Sequence, residues 1–412
     1  MNRQYEAALL DNHDPLRAMR DAFALPSDRV YLDGNSLGAL PRRVAKRVHE
    51  VVEQQWGRDL ITSWNVHGWV NLPLSVGEKI APLIGAAPGQ VVCCDSISVN
   101  LFKLLATALG LRPSRRVVLT CAGDFPTDGY MAQGLQALLG AQRCEMRAVD
   151  VGELVDTLDE TVAVLMMTEV DFRSGRRHDM QALTAAAHAC GALVLWDLAH
   201  SAGAIPVKLD ACNVDMAVGC GYKFLNGGPG APAFVYLATR HHNQVAQPLS
   251  GWFGHAAPFA FDSAYRAAPG ISAYQAGTPG VIGMQALDAA LDLFAGLEPA
   301  DLRRKSLALT GFFMEGVAAE PALASMQVLT PAEDARRGSQ VSLRHPEAHA
   351  IAQCLIAEGI IVDFRDPDIV RFGFAPLYNS FTDAAIALHC LSRVLSTRAY
   401  ADERYRQRAQ VT

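Results

Sequence analysis

The 412-residue sequence has no Cys-x-x-Cys pair, and its nine cysteines are odd in number and scattered. That pattern speaks against both a disulfide framework and a zinc site, and most of these thiols are expected to be small buried apolar groups. The twelve histidines form no ligand constellation either: His241-His242 reads as solvated surface and His188 lies among alanines on a predicted helix, so no structural metal is expected. A long basic tract is also missing. With a formal net charge of -6, this argues against attraction to nucleic acid or to an anionic membrane and points to small molecules as partners. The stretch Met1-Asn2-Arg3-Gln4-Tyr5-Glu6 leads to Asp11, Asp14 and Asp21 without the apolar core of a signal peptide. No later run reaches membrane-spanning length, so cytoplasmic residence is the expectation. Internal repeats, low-complexity tails and flexible linkers are absent as well.

What is present is apolar material for a large core. Hydrophobic residues make up 50% of the chain and charged residues only 19%, enough for two domains. The expected division is an N-terminal segment 1–45, a large domain 46–285 and a small C-terminal domain 286–412. From about Val92 to Tyr236, short apolar runs alternate with helix-like stretches, the signature of a mainly parallel α/β sheet. Predicted strands are Val117–Leu119, Val162–Met167, Ala192–Trp196, Met216–Val218 and Ala233–Tyr236. The stretch from about Leu287 through Phe313 reads as helical. Gln340–Leu343 and Ile360–Val362, with an alanine-rich stretch between them, suggest a smaller α+β lobe.

The chemistry concentrates at Trp196-Asp197-Leu198-Ala199-His200 and at Gly221-Tyr222-Lys223-Phe224-Leu225-Asn226-Gly227-Gly228-Pro229-Gly230. A carboxylate at a strand end and a lysine before a glycine-rich turn suggest a pyridoxal phosphate (PLP) site. The lysine amine can hold the PLP aldehyde, and a buried carboxylate can keep the pyridine nitrogen protonated. Alone, Asp197 would serve equally as a turn or cap residue, Lys223 as solvated surface and His200 as a helix cap. Two further features favour the cofactor. Ser96-Ile97-Ser98-Val99-Asn100 opens a predicted helix whose free N–H groups suit a phosphate. Phe125-Pro126-Thr127-Asp128 follows a strand and offers a ring to stack on a flat heterocycle. Asp197, Thr168 and Phe125 all fall beyond strand carboxyl ends, where open α/β sheets bind ligands.

Taken together with Tyr31-Leu32-Asp33-Gly34-Asn35-Ser36-Leu37-Gly38, Gly251-Trp252-Phe253-Gly254-His255 and Arg371-Phe372-Gly373-Phe374-Ala375-Pro376-Leu377-Tyr378-Asn379-Ser380-Phe381, these motifs resemble the bacterial kynureninases. Those are PLP enzymes of fold type I, related to the class V aminotransferases. The resemblance covers most of the chain. It implies a fold-type I PLP-dependent transferase architecture and hydrolysis of L-kynurenine to anthranilate and L-alanine in tryptophan degradation, with 3-hydroxykynurenine as a second possible substrate. Lys223 matches the family's Schiff-base lysine, Asp197 its pyridinium partner, Phe125 its stacking ring and His200 its residue beside the cofactor. Ile97, Ser98, Asp128, Thr168 and Tyr222 match other cofactor-contacting positions. Trp252 and Thr278 match positions supplied across a dimer interface, so a homodimer with shared active sites is implied. Arg371 matches the clamp for the substrate α-carboxylate, a role suited to a guanidinium that can make two parallel hydrogen bonds. Trp64, Gly277 and Thr278 are candidate neighbours of the aniline ring.

In the implied reaction Lys223 is displaced by the substrate amine and then moves protons, while Tyr222 either transfers a proton or contacts the cofactor phosphate. A phenol of ordinary pKa about 10 would need help to act as a base near neutrality. A cysteine desulfurase or class V aminotransferase of the same fold is the nearest alternative. Desulfurases, however, carry a glutamine where this chain has His200, a histidine where it has Tyr222, and a cysteine on a mobile C-terminal loop. Only Cys354 and Cys390 follow Lys223, both in helix-like contexts. A non-catalytic PLP-binding protein would need neither the lysine base nor Arg371, and a PLP-free lysine aldolase would not need Asp197 or the phosphate-type helix start.

Overall fold

In the computed structural model, which describes residues 3–245 and 247–408, thirteen strands fall into three sheets. In chain order they are β1 (Val30–Tyr31), β2 (Val91–Cys93), β3 (Val117–Cys121), β4 (Glu145–Val149), β5 (Val162–Thr168), β6 (Leu193–Asp197), β7 (Met216–Cys220), β8 (Ala233–Leu237), β9 (Gln327–Val328), β10 (Gln340–Arg344), β11 (Ile360–Ile361), β12 (Asp363–Arg365) and β13 (Ile369–Gly373). The largest sheet runs β2-β8-β7-β6-β5-β3-β4. Its pairs from β7 through β4 are parallel, and β8 is antiparallel to both its neighbours.

The apolar runs read from the sequence become these central strands because both faces of the sheet are covered. Successive side chains point to opposite faces. Val118, Val164, Met166, Leu195 and Val218 therefore pack with Leu101, Leu104 and Leu105 of helix Ile97–Leu111. Leu119, Leu165, Met167, Val194 and Trp196 pack instead with Met180 of helix Met180–Ala189 and Leu287 of helix Val281–Leu291. Edge strand β4 was not anticipated: its Glu145-Met146-Arg147-Ala148-Val149 is only partly buried and carries little apolar signal.

A second core gathers around the antiparallel sheet β12-β13-β10-β9, with Phe313, Val341, Ile351, Phe372 and Leu391 at its centre. Helices Pro299–Ala319, Ala348–Ala357 and Phe381–Thr397 cover it. The expected single helical stretch over Leu287–Phe313 is two helices, Val281–Leu291 and Pro299–Ala319. The chain breaks between them at Gly296, whose φ of +77° lies in the left-handed region that glycine adopts without steric cost.

The N-terminal segment belongs with this second core. Helix Arg3–His13 packs on helix Phe381–Thr397, and Asp11 accepts the Phe381 N–H at 2.7 Å and the Thr382 N–H at 3.0 Å. Strand β1 pairs in parallel with β11. Residues 30–38 then run as a strap between the two cores: Leu32 O accepts from Gly373 N at 2.6 Å, and Gly38 N donates to Tyr222 O at 2.8 Å. Only glycine fits at position 38, since a Cβ there would lie 2.3 Å from the Lys223 carbonyl oxygen.

His241 corrects the reading of a solvated histidine pair. It is buried, and its ring lies 2.7 Å from Asp215, which also engages His188 and Arg240. The cysteines are unpaired, and most of them are buried. No helix among the described residues is long and apolar enough to cross a membrane.

Candidate active site

Three parallel strands end on one cavity of about 610 Å³. Strand β5 delivers Thr168, β6 delivers Asp197, and the turn after β7 delivers Tyr222 and Lys223. Ile97 and Ser98 line the same cavity from the first turn of their helix, Phe125 from the loop after β3, and Arg371 from β13. Nine of the residues expected from sequence are thus brought together: Ile97, Ser98, Phe125, Thr168, Asp197, His200, Tyr222, Lys223 and Arg371. The size is that of an ordinary small-molecule site.

At its centre the Lys223 Nζ lies 3.0 Å from His200 Nε2. Burial, and then the charges of Lys223, Arg371 and Arg365, hold the His200 imidazole well below its usual pKa. It is therefore a neutral ring able to accept a hydrogen bond from the lysine's amine. Asp197 Oδ1 accepts from Ala199 N at 2.8 Å, which fixes the carboxyl at the strand end. Burial raises the Asp197 pKa and the Lys223 charge opposes that rise. The Tyr222 phenol is pushed up by burial and by the neighbouring Cys220 and Asp197, so near neutrality it is a proton donor rather than a base. Phe125 is held edge-on to Phe172 with centroids 5.2 Å apart.

Asp128 lies behind the cavity, buried, with neither carboxylate oxygen hydrogen-bonded. Burial and the facing Asp197 and Asp124 drive its pKa well up. Asp124 itself is pushed up to about 8, chiefly by burial, although it accepts the Thr168 N–H at 3.2 Å. Asp124, Asp128 and Asp197 thus act on one another as like charges, with Lys223 opposing the rise at Asp128 and Asp197.

The Arg371 end is fully built from within the chain. The guanidinium, 1% exposed, donates from Nε to Asp363 Oδ1 at 2.7 Å, and its Nη2 contacts the other Asp363 oxygen. Nη1 donates to Phe172 O at 2.6 Å and Nη2 also to Ser36 Oγ at 3.1 Å. Asp363 is shared with Arg365, whose Nη2 lies 2.7 Å away. One forked edge of Arg371 is therefore committed to Asp363 and Nη2 also to Ser36, so a ligand on the Nη1–Nη2 edge would have to displace the Ser36 hydroxyl. Ser36, Phe172 and Arg365 line the cavity and were not singled out as site residues. Ser36 lay inside a recognised motif, but its contact with Arg371 joins residues 335 positions apart and leaves no local signal.

Trp64, Trp252, Gly277 and Thr278 do not line this cavity. Gly277 and Thr278 border an adjoining one of about 210 Å³ that shares Asp95 and Gly230 with it. Trp64 packs on Trp69 and Phe253 at 5.7 and 5.8 Å, and Trp252 on Phe253 and Phe259 at 4.4 and 5.7 Å. Around them Trp56, Ile61 and Phe261 are 57%, 76% and 79% exposed.

The donor set fits PLP. The amine of Lys223 faces the cavity, Asp197 has an oxygen free of protein hydrogen bonds, and the helix starting at Ile97 leaves its first N–H groups without intrahelical acceptors. Phe125 supplies an apolar face.

The comparisons with known proteins agree with this arrangement. Residues 302–391 match the kynureninase C-terminal domain. The kynureninase of Burkholderia pseudomallei (strain 1106a) is 48% identical over 417 aligned positions, covering all of both chains. Among solved structures, a cysteine desulfurase from Thermococcus onnurineus NA1 superposes with a TM-score of 0.76 over 92% of this chain and 98% of its own, at 19% identity. The cystine C-S lyase C-DES, solved as a lysine mutant with glycine covalently linked to its PLP cofactor, gives 0.74 over 90% and 98%, at 17% identity. At those identities the structures speak for the shared fold-type I architecture. Full-length identity with a kynureninase, joined to a lysine, an aspartate and a buried arginine around one cavity, places this chain in the kynureninase family.

Proposed function

We propose that the protein hydrolyses L-kynurenine to anthranilate and L-alanine with PLP held on Lys223. The observation that carries this reading is the convergence of Lys223, Asp197 and Arg371 on one cavity in a chain aligned end to end with a kynureninase. When bound, PLP supplies an electron sink for bonds broken at the substrate amino acid. Asp197, tied down through Oδ1, offers its other oxygen to a ring N–H, and a cation at that point offsets the rise in pKa that burial imposes. Arg371 is the buried cation placed to take the substrate carboxylate, which would displace the Ser36 hydroxyl from Nη2 to make paired hydrogen bonds there. Lys223 Nζ, which would hold the cofactor, is also the base placed to remove the Cα proton and the acid placed to return protons later in the cycle. Neutral His200, 3.0 Å away, steers that amine, and Tyr222 donates its phenolic proton.

The same reading makes the working unit a homodimer. Trp56, Ile61, Trp252 and Phe261 present an apolar face of a kind that soluble chains normally cover. Pairing there would bring Trp64, Trp252, Gly277 and Thr278 toward the neighbour's cavity. Against the desulfurase alternative, Cys354 and Cys390 are buried in helices Ala348–Ala357 and Phe381–Thr397. Neither thiol reaches the cavity.

The test is anthranilate fluorescence after PLP-loaded protein is mixed with L-kynurenine, beside Lys223→Ala. Release by the wild type and none by the variant is expected. A wild type that binds PLP covalently yet releases no anthranilate would refute the substrate assignment.

A further inference from the structure

A second cavity of about 610 Å³ opens between the two cores, away from the one that holds Lys223. Its walls carry Arg176, Arg177 and Lys208 from the large-sheet side and Arg303 and Arg336 from the other, against a single lining carboxylate, Asp179. That carboxylate already accepts the Ala182 N–H at 2.9 Å. Arg177 is balanced by the buried Glu169, 2.9 Å away. Arg303 uses Nη2 on the backbone oxygens of Asp334 and Arg337, while its buried Nη1 has no acceptor. The side chains of Arg176, Lys208 and Arg336 make no hydrogen bond or ion pair among the described residues.

Like charges do not gather in a cleft without cost. Burial and then the neighbouring Arg177 and Arg337 pull Arg303 down to about 10, a fall that the nearby Asp334 and Glu169 offset only in part. The cleft also receives Met180 and Gln181, from the first turn of the ten-residue helix Met180–Ala189, with that helix's positive dipole end. We propose that this cleft binds a small multivalent oxyanion, of the phosphate-ester or polycarboxylate class, which bridges the two cores. Planar guanidinium groups on both walls suit either class. The site needs nothing from the active-site reading. It does lie one ion pair from it, because Glu169 directly follows Thr168 at the end of β5.

The experiment is calorimetric titration of the PLP-loaded protein, so that its phosphate site is filled, with inorganic pyrophosphate and separately with citrate. Sodium chloride at matched ionic strength is the control. Saturable binding at one site per chain is expected for at least one anion, and the tighter one assigns the class. The double variant Arg176→Gln/Arg336→Gln removes two cations whose side chains make no hydrogen bond or ion pair among the described residues, and should weaken binding at least about tenfold. Absence of saturable binding to both anions, or equal affinity in the double variant, would overturn the proposal.

Discussion

Replacing Asp363 by asparagine tests how the carboxylate end of the site is built. Asp363 is 1% exposed and receives Arg371 on both oxygens, Arg365 at 2.7 Å and the Ser36 hydroxyl at 3.0 Å. Asparagine keeps the shape but removes the negative charge that Asp363 places between two guanidinium groups and turns an NH₂ toward one of them. Two unit charges about 4 Å apart interact by about 4 kcal/mol at an effective dielectric of 20. Leaving a buried charge unpaired costs about 3–5 kcal/mol in comparable cases. Arg365 is partly solvated, so most of the loss comes from Arg371. We therefore expect Asp363→Asn to lower stability to urea by about 3–5 kcal/mol. With Arg371 no longer held in place, kcat/KM for kynurenine should fall on the order of 100-fold. A third readout is independent of both. Asp33, pushed up to about 7 by burial and then by the charge of Asp363, should titrate lower in the variant. Stability within about 1 kcal/mol of wild type would refute the reasoning, since no buried-charge penalty would then exist. A fall in KM would equally show that Asp363 screens Arg371 rather than orienting it.

Two further predictions concern other parts of the molecule. Burial opposes ionisation of Asp215, but hydrogen bonds from His188 and His241 and the Arg240 guanidinium outweigh it and hold the carboxyl below the usual range. Its folded pKa lies below its unfolded one, so its stabilisation is present above about pH 4 and is lost as the pH falls further. Asp215→Asn should cost about 1.5–3 kcal/mol at pH 7 and progressively less below pH 4, as read from denaturant midpoints; an undiminished penalty in acid would contradict the assignment. For the apolar face, Ile61→Asp should shift the protein toward monomer in sedimentation and reduce anthranilate release at low protein concentration, and an unchanged dimer would place the interface elsewhere.

The legible parts of this structure were those written locally. Val162–Thr168 and Leu193–Asp197 announce themselves as strands because both their faces are buried, and Ser96 marks a helix start by capping it. Residues at strand ends followed from that, including Asp197 and Thr168. Tertiary context decided the rest. Glu145–Val149 is a strand through pairing with β3 rather than through its own composition. His241 is buried because Asp215, 26 positions earlier, needs its ring. Arg365 and Phe172 were passed over because their relation to Arg371 exists only once β12, β13 and the loop after β5 meet. Trp64 and Trp252 could be matched to the family, but they line neither the Lys223 cavity nor the one adjoining it.

The strap at residues 30–38 carries a consequence for synthesis. Its strand partner, β11, is Ile360–Ile361, and its serine is anchored on Arg371. A ribosome adding 5–20 residues per second needs roughly 15–65 s to make the intervening chain. Through that interval the glycine-rich turn around Lys223 emerges and can meet Gly38, but β11 and the Arg371 strand are still missing. An incomplete nascent chain can form much of the parallel sheet, yet it lacks the wall that receives a substrate carboxylate. Competence to receive an amino acid carboxylate is thus deferred until β13 and Arg371 have been made.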